Sequence, residues 1–276
     1  MPASTMTEPA PPGVGATPPA ISVRNLTKVY RVRRGEAVTA LDGVSLDVAD
    51  GEFVSVVGPS GCGKSTLMMI IAGLRGRTSG AVEVDGRDVT GPVTDAGVVF
   101  QRDVLLDWRT TLENVMLQVQ MRGLPKAEYR ERAMELLHSA GLDGFENRHP
   151  WELSGGMRQR VSICRALIHD PRILLMDEPF GALDALTRED MTMQLQRLWL
   201  ARRKSVVFIT HSISEAVFLS DRVVVMTPRP GRIERVLDVS IERPRRFESM
   251  STPEFGGLVN EIRDIFRARG VISGDG

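Results

Sequence analysis

Nine consecutive residues constrain this chain more than any other feature: Gly58-Pro59-Ser60-Gly61-Cys62-Gly63-Lys64-Ser65-Thr66. They read G-x-x-x-x-G-K-[ST], a phosphate-binding loop. Residues 52–57 before them are apolar and β-rich, as in a buried parallel strand. Residues 67–72 after them are apolar and helix-compatible, and Gly73 can close that helix. Strand, glycine loop and helix together make a cradle for phosphate. The glycines let successive N–H groups curl around an anion, and the helix N-terminus adds positive potential. In such a loop Lys64 reaches the β- and γ-phosphates and Ser65 ligates Mg²⁺.

The rest of the chain must build a sheet around that loop. Its 276 residues suffice for one large domain or two small ones. Lys+Arg and Asp+Glu both total 35, so no global charge draws the chain to nucleic acid or membrane. The two cysteines, Cys62 and Cys164, have no metal spacing and fit a reduced, cytosolic compartment. No apolar run approaches the roughly 20 residues that span a bilayer. Residues 1–20 are rich in Pro, Ala and Thr and lack the features of a signal peptide; they read as a disordered tail.

Residues 21–24 and 44–48 alternate as strands, with a basic loop over 31–35 between them. A strand over 81–84 ends at the turn pair Asp85-Gly86, and a short buried strand over 97–100 leads into Gln101. Between 111 and 140 the spacing turns helical. Leu112, Val115, Met116 and Val119 share a face with Thr111 as cap; Pro125 opens a second helix that Gly141 ends. Further helices are predicted over 155–169, 187–202 and 255–267, and apolar strands over 173–176, 206–209 and 223–226. Residues 228–231 read as a turn. Strands alternating with helices predict a mostly parallel α/β sheet covered on both faces.

Asp177 and Glu178 follow the strand over 173–176. A P-loop ATPase needs a carboxylate at such a strand end to hold Mg²⁺ through water, and Glu178 is placed to polarise an attacking water. Leu153-Ser154-Gly155-Gly156-Met157-Arg158-Gln159-Arg160 opens another helix, capped by Ser154, and forms a second anion-binding terminus. One nucleotide has no evident use for two cradles, so the second is assigned to the nucleotide of another subunit.

With these motifs the sequence resembles the ATP-binding cassette family of transporter ATPases, whose signature is LSGGQ or a close variant; Met157 stands in the fifth place. The resemblance spans residues 20 to 240, with the motifs in the family's order. It implies the P-loop NTPase fold: a mostly parallel core sheet, an N-terminal antiparallel β subdomain and a helical subdomain over about 102–165. The ATPase domain then covers 21–240 and leaves 241–276 as a C-terminal extension.

The resemblance also implies roles. Gln101 matches the Q-loop glutamine, a Mg²⁺ ligand and hinge. Ala182-Leu183-Asp184 matches the D-loop that crosses to the partner, after a Gly181 where the family often has serine. His211 matches the switch histidine that contacts the γ-phosphate, followed by Ser212 where the family often has aspartate. Tyr30 resembles the aromatic that stacks on adenine, although such a tyrosine is as often part of the core. The implied cofactors are ATP and Mg²⁺.

The implied assembly is a head-to-tail homodimer. Lys64, Ser65, Gln101, Asp177, Glu178 and His211 of one subunit face Ser154, Gly155 and Gly156 of the other. The implied place is the cytoplasmic face of the membrane, beneath separate permease subunits that a periplasmic or extracellular solute-binding protein feeds. Nucleic acid is not an implied partner.

Residues 100–111 and 211–221, with Pro228-Arg229-Pro230-Gly231, resemble the nitrate/sulfonate/taurine branch of importer ATPases, whose relatives also serve pyrimidine precursors. Trp108 either packs inside or lines the groove for a permease helix. The competing readings are a soluble ABC-type ATPase of DNA repair or translation and a nucleotide sensor without turnover. Finally, Cys62 sits beside Lys64 and a helix N-terminus, which predicts a lowered thiol pKa and the greater reactivity; Cys164 reads as a small buried hydrophobe.

Overall fold

In the computed structural model, which describes residues 18–31 and 35–272, the apolar runs become neighbouring strands. The elements in chain order are β1 (Ile21–Arg31), β2 (Ala37–Val48), β3 (Phe53–Val57), α1 (Lys64–Ile71), β4 (Ser79–Val84), β5 (Arg87–Asp88) and β6 (Ala96–Val99). Next come α2 (Thr111–Val115), α3 (Leu117–Met121), α4 (Lys126–Ser139), α5 (Gly155–Leu167), β7 (Ile173–Asp177) and α6 (Ala185–Ala201). Then follow β8 (Ser205–Ile209), α7 (Ile213–Leu219), β9 (Arg222–Met226), β10 (Ile233–Asp238) and α8 (Pro253–Ala268).

An antiparallel sheet has the order β2-β1-β4-β5, and the central sheet has the order β10-β9-β3-β8-β7-β6. The latter is parallel apart from β10. Strands β3, β7 and β8 are buried along their whole length, which is why they read as unbroken apolar runs. Their side chains alternate between two cores. Val54, Val56, Leu175 and Val207 pack with Leu67, Met68 and Ile71 of α1. Phe53, Val57, Leu174, Met176 and Phe208 pack with α5 to α8. Each fully buried Leu, Ile or Phe contributes about 1.5–3 kcal/mol. The carboxyl ends of β3, β7 and β8 therefore lie side by side at one edge, where ligands of such sheets bind.

The helical insertion has its own core of Leu112, Val115, Val119, Ala133, Leu137 and Val161. Helix α5 belongs to both bodies: Val161, Cys164 and Ile168 face the insertion core while Ile163, Ala166 and Leu167 face the main one. Of the two helices expected over 111–140, the first is divided into α2 and α3 and the second is α4, and the cap of the first is Thr110, not Thr111. Thr110 Oγ1 accepts from Glu113 N, and the Glu113 carboxylate accepts from Thr110 N, a capping box. Thr111 is buried and donates to Arg148 O at 3.0 Å.

Strand β10 escapes the sequence pattern because it is an edge: Leu237 is its one buried residue, and the remainder is polar or half-exposed. Residues 241–272 are packed onto the domain. Phe255, Val259, Ile262 and Phe266 of α8 join the main core. Arg245, 1% exposed, donates to the carbonyls of Val217, Phe218 and Ser220 and closes the end of α7. Of the tail assigned to 1–20, residues 1–17 lie outside the described residues, as do 32–34 of the basic loop; Ala20 is buried.

Candidate active site

Strand β3 ends at Val57, and the loop that begins at Gly58 turns twice through left-handed backbone, at Gly61 (φ 74°) and Gly63 (φ 103°). Space also demands glycine: a Cβ on Gly63 would lie 2.8 Å from Ala40 O. Lys64 is folded back into the loop, its Nζ donating to Gly58 O at 2.7 Å and Pro59 O at 3.0 Å. Ser65 neighbours the Asp177 carboxylate at the end of β7 and favours its charged form. Asp177 is 4% exposed, and burial raises its pKa against the pull of Ser65 and Lys64.

Glu178 follows with φ 47°, an uncommon backbone for a residue with a side chain. Its N–H bonds Ile209 O at 2.8 Å and so ties the end of β7 to the end of β8. The Glu178 carboxylate receives two neighbours on Oε2: Gln101 Nε2 donates at 3.0 Å, and His211 Nδ1 lies 3.6 Å away. Three residues far apart in sequence, Gln101, Glu178 and His211, thus converge beside the phosphate loop. The stretch after Gln101 is anchored to α5, since Arg165 donates to Asp103 O and Val104 O at 2.7 Å each and Arg158 Nε bonds the Asp103 carboxylate at 2.8 Å.

Ser154 caps α5, accepting from Met157 N at 3.2 Å, and Gly155 and Gly156 are partly exposed. No hydrogen bond among the described residues joins Ser154–Gly156 to the phosphate loop of the same chain. A Cβ on Gly156 would stand 3.0 Å from Leu183 Cδ2, which places the signature beside Ala182-Leu183-Asp184. Asp184 caps α6 through Thr187 N at 3.0 Å, and that contact holds its carboxyl below the usual range. Tyr30 is half-buried, with Oη 3.3 Å from Thr66 Oγ1 and 3.1 Å from Arg75 Nη1.

Two expectations change. Cys62 is 1% exposed, and burial raises its thiol pKa more than Lys64, 3.9 Å away, lowers it, the reverse of the expected lowering. Cys164 is pushed up to about 12 by burial. Trp108 is 72% exposed, so packing inside is not its role; Trp151, 65% exposed, stacks on His149 at 4.4 Å.

The 228–231 turn is more than a connection. Arg229 donates from Nε and Nη2 to Gly61 O, both at 3.2 Å, and Gly231 abuts Cys62 O. The turn braces the back of the phosphate loop. Its Pro and Gly content signalled a turn, and nothing in the sequence signalled the contact.

Ser65 Oγ, the Asp177 carboxylate and the Gln101 amide oxygen are hard oxygen donors of the kind that would suit Mg²⁺. Burial disfavours the charged form of the Asp177 carboxyl, and a cation beside it would offset that cost. No acidic cluster of three is needed, because Mg²⁺ takes one or two carboxylates plus phosphate oxygens.

Residues 41–181 match the ABC transporter family. The chain is 50% identical to an uncharacterized ABC transporter ATP-binding protein of Methanocaldococcus jannaschii, over 88% of this chain and 91% of the relative. It is 47% identical to the taurine import ATP-binding protein TauB of Rhizobium johnstonii, over 90% of this chain and 97% of that protein. Among solved structures, it superposes at TM-score 0.73 and 36% identity on a dimeric ATP-binding cassette bound to ADP and Pi in a post-hydrolysis state, covering 80% of this chain and 100% of that one. The chain belongs to the ATP-binding cassette family of transporter ATPases, as an ATP-hydrolysing subunit.

Proposed function

We propose that this subunit hydrolyses Mg-ATP in sites shared by two copies of the chain. Hydrolysis then energises uptake of a taurine-like sulfonate, or a related small nutrient, through separate permease subunits. The observation that carries the catalytic part is the convergence of Gln101 and His211 on one carboxylate oxygen of Glu178. Glu178 orients water and accepts its proton as it attacks the γ-phosphate, and Gln101 and His211 fix the carboxylate's direction. Lys64 exchanges the Gly58 and Pro59 carbonyls for phosphate oxygens, while the loop N–H groups and the start of α1 hold the β-phosphate. Mg²⁺, held by Ser65, Asp177 and Gln101, supplies charge neutralisation when bound. Tyr30, beside the first turn of α1, offers its ring to the adenine.

The partly exposed Ser154, Gly155 and Gly156 serve the nucleotide of the second copy, and Asp184 lies at that boundary. The dimer closes on two ATP molecules and opens when the γ-phosphate leaves. The taurine reading is supported by the TauB relatives, and the solute itself meets the permease and a solute-binding protein. The peripheral, cytoplasmic-face placement follows from that assembly.

Co-purification from the native membrane, followed by mass spectrometry and labelled-taurine uptake, tests the proposal. Recovery with a polytopic permease, and loss of uptake on deleting this chain, is expected. Recovery with nucleic-acid machinery and no membrane subunit would refute it.

A further inference from the structure

We infer that Glu215, held by Arg188, is a positioning residue for His211, and that this pair couples His211 to the Ala182-Leu183-Asp184 stretch. The inference rests on the proposed role of His211. The His211 ring is largely exposed and has Glu178 as its ionic neighbour, so the backbone around it must set its place.

Both sequence neighbours of His211 are tied to Glu215. Thr210 Oγ1 donates to Glu215 Oε2 at 2.6 Å and accepts from Ser212 N at 3.0 Å. Ser212 Oγ accepts from Glu215 N at 3.3 Å.

The sequence S-x-x-E over 212–215 would ordinarily make a capping box, with the glutamate returning to the serine N–H. Here the Thr210 hydroxyl takes that N–H, and the carboxylate is released to face another partner. Its Oε1 lies 3.6 Å from Arg188 Nε, with the Glu215 side chain 12% exposed. A helix cap alone gives no reason for this diversion.

Arg188 reaches the other way as well. Its Nη2 donates to Leu183 O at 2.9 Å and its Nε to Phe180 O at 3.3 Å. One guanidinium therefore spans the turn after Glu178 and the carboxylate beneath His211. The fork supplies the hydrogen bonds to the two carbonyls, the contact with Glu215 is ionic, and a lysine could not reproduce the arrangement. When a second subunit presses on 182–184, the displacement reaches Arg188, then Glu215, then the backbone on both sides of His211.

The test uses the full chain, its four histidines labelled in the ring. Glu215→Gln and Arg188→Gln are each expected to lower kcat about tenfold, as a small misplacement does. KM for ATP should stay within about twofold, since ground-state binding is untouched. The His211 ring resonance should shift, with those of His138 and His149 unmoved. The double variant should lose no more than either single one, because both act through one path.

His211→Ala is the reference. If it is slow while Glu215→Gln keeps parental turnover and an unmoved His211 resonance, the inference is overturned. If His211→Ala itself turns over normally, the underlying reading of His211 fails instead. A rise in KM matching the loss of kcat would mark general damage and also overturn the inference.

Discussion

Replacing Gly231 with alanine probes the brace behind the phosphate loop. Its backbone is not left-handed, so the effect is one of space. A Cβ there would lie 1.9 Å from Cys62 O, 3.1 Å from Cys62 C and 2.9 Å from Met226 Cε. The Met226 methyl can swing aside; the Cys62 carbonyl, in the middle of the loop, cannot. Gly231 is itself pinned, its N–H on Ala40 O and its carbonyl accepting from Asp42 N, both at 3.0 Å. Ordinary contact needs a separation of roughly 3.4 Å, so about 1.5 Å must be found by moving backbone. Such overpacking costs about 1–3 kcal/mol. If the loop yields, that cost weakens ATP binding about 5- to 150-fold, and a shift near 1 Å at the site slows turnover by up to about 100-fold. If the 228–231 turn yields, the cost shows in Tm. Titration of ATP binding, single-turnover hydrolysis and thermal melting on the same samples separate these outcomes. Parental values in all three would refute the spatial reasoning.

Arg229→Ala removes two hydrogen bonds to Gly61 O at an exposed position, so ATP affinity should fall by a few-fold, about 0.5–1.5 kcal/mol, with Tm unchanged; titration checks it. Maleimide should label native Cys62 and Cys164 slowly and both rapidly after unfolding, because burial raises both thiols; fast native labelling of Cys62 would contradict this. Burial, with Arg122, Lys204 and Arg132 nearby, lowers His169 to about 4. Its folded pKa lies below the unfolded value, so its stability contribution is complete above about pH 6.5 and lost as pH falls from there toward 4. His169→Gln should flatten the fall in Tm between pH 7.5 and 5.

The parallel core was legible because strands buried on both faces need apolar residues at every position, as in 173–176 and 206–209. The phosphate loop was legible because its glycines answer local backbone demands. Ser154 was legible as a cap for the same reason. What the sequence did not carry was contact between distant turns. Arg229 on Gly61, Arg188 between Phe180 and Glu215, and Gln101 on Glu178 depend on which strand ends lie side by side. Gln101 could be singled out by resemblance; Arg229 and Arg188 matched no motif. Cys62 was misjudged because local charge was read without burial, and burial dominates. Edge strand β10 has too few buried residues to leave a pattern.

The central claim is that Glu178 activates water in an ATP-bridged pair of subunits. The most direct measurement is hydrolysis by Glu178→Gln, with dimerisation followed by light scattering in Mg-ATP. Glutamine keeps the shape and loses the base. The account predicts ATP binding near the parental value, turnover lowered about 100- to 10,000-fold, and a dimer that persists while ATP is present. Hydrolysis near the parental rate, or a chain that stays monomeric with ATP bound, would contradict it.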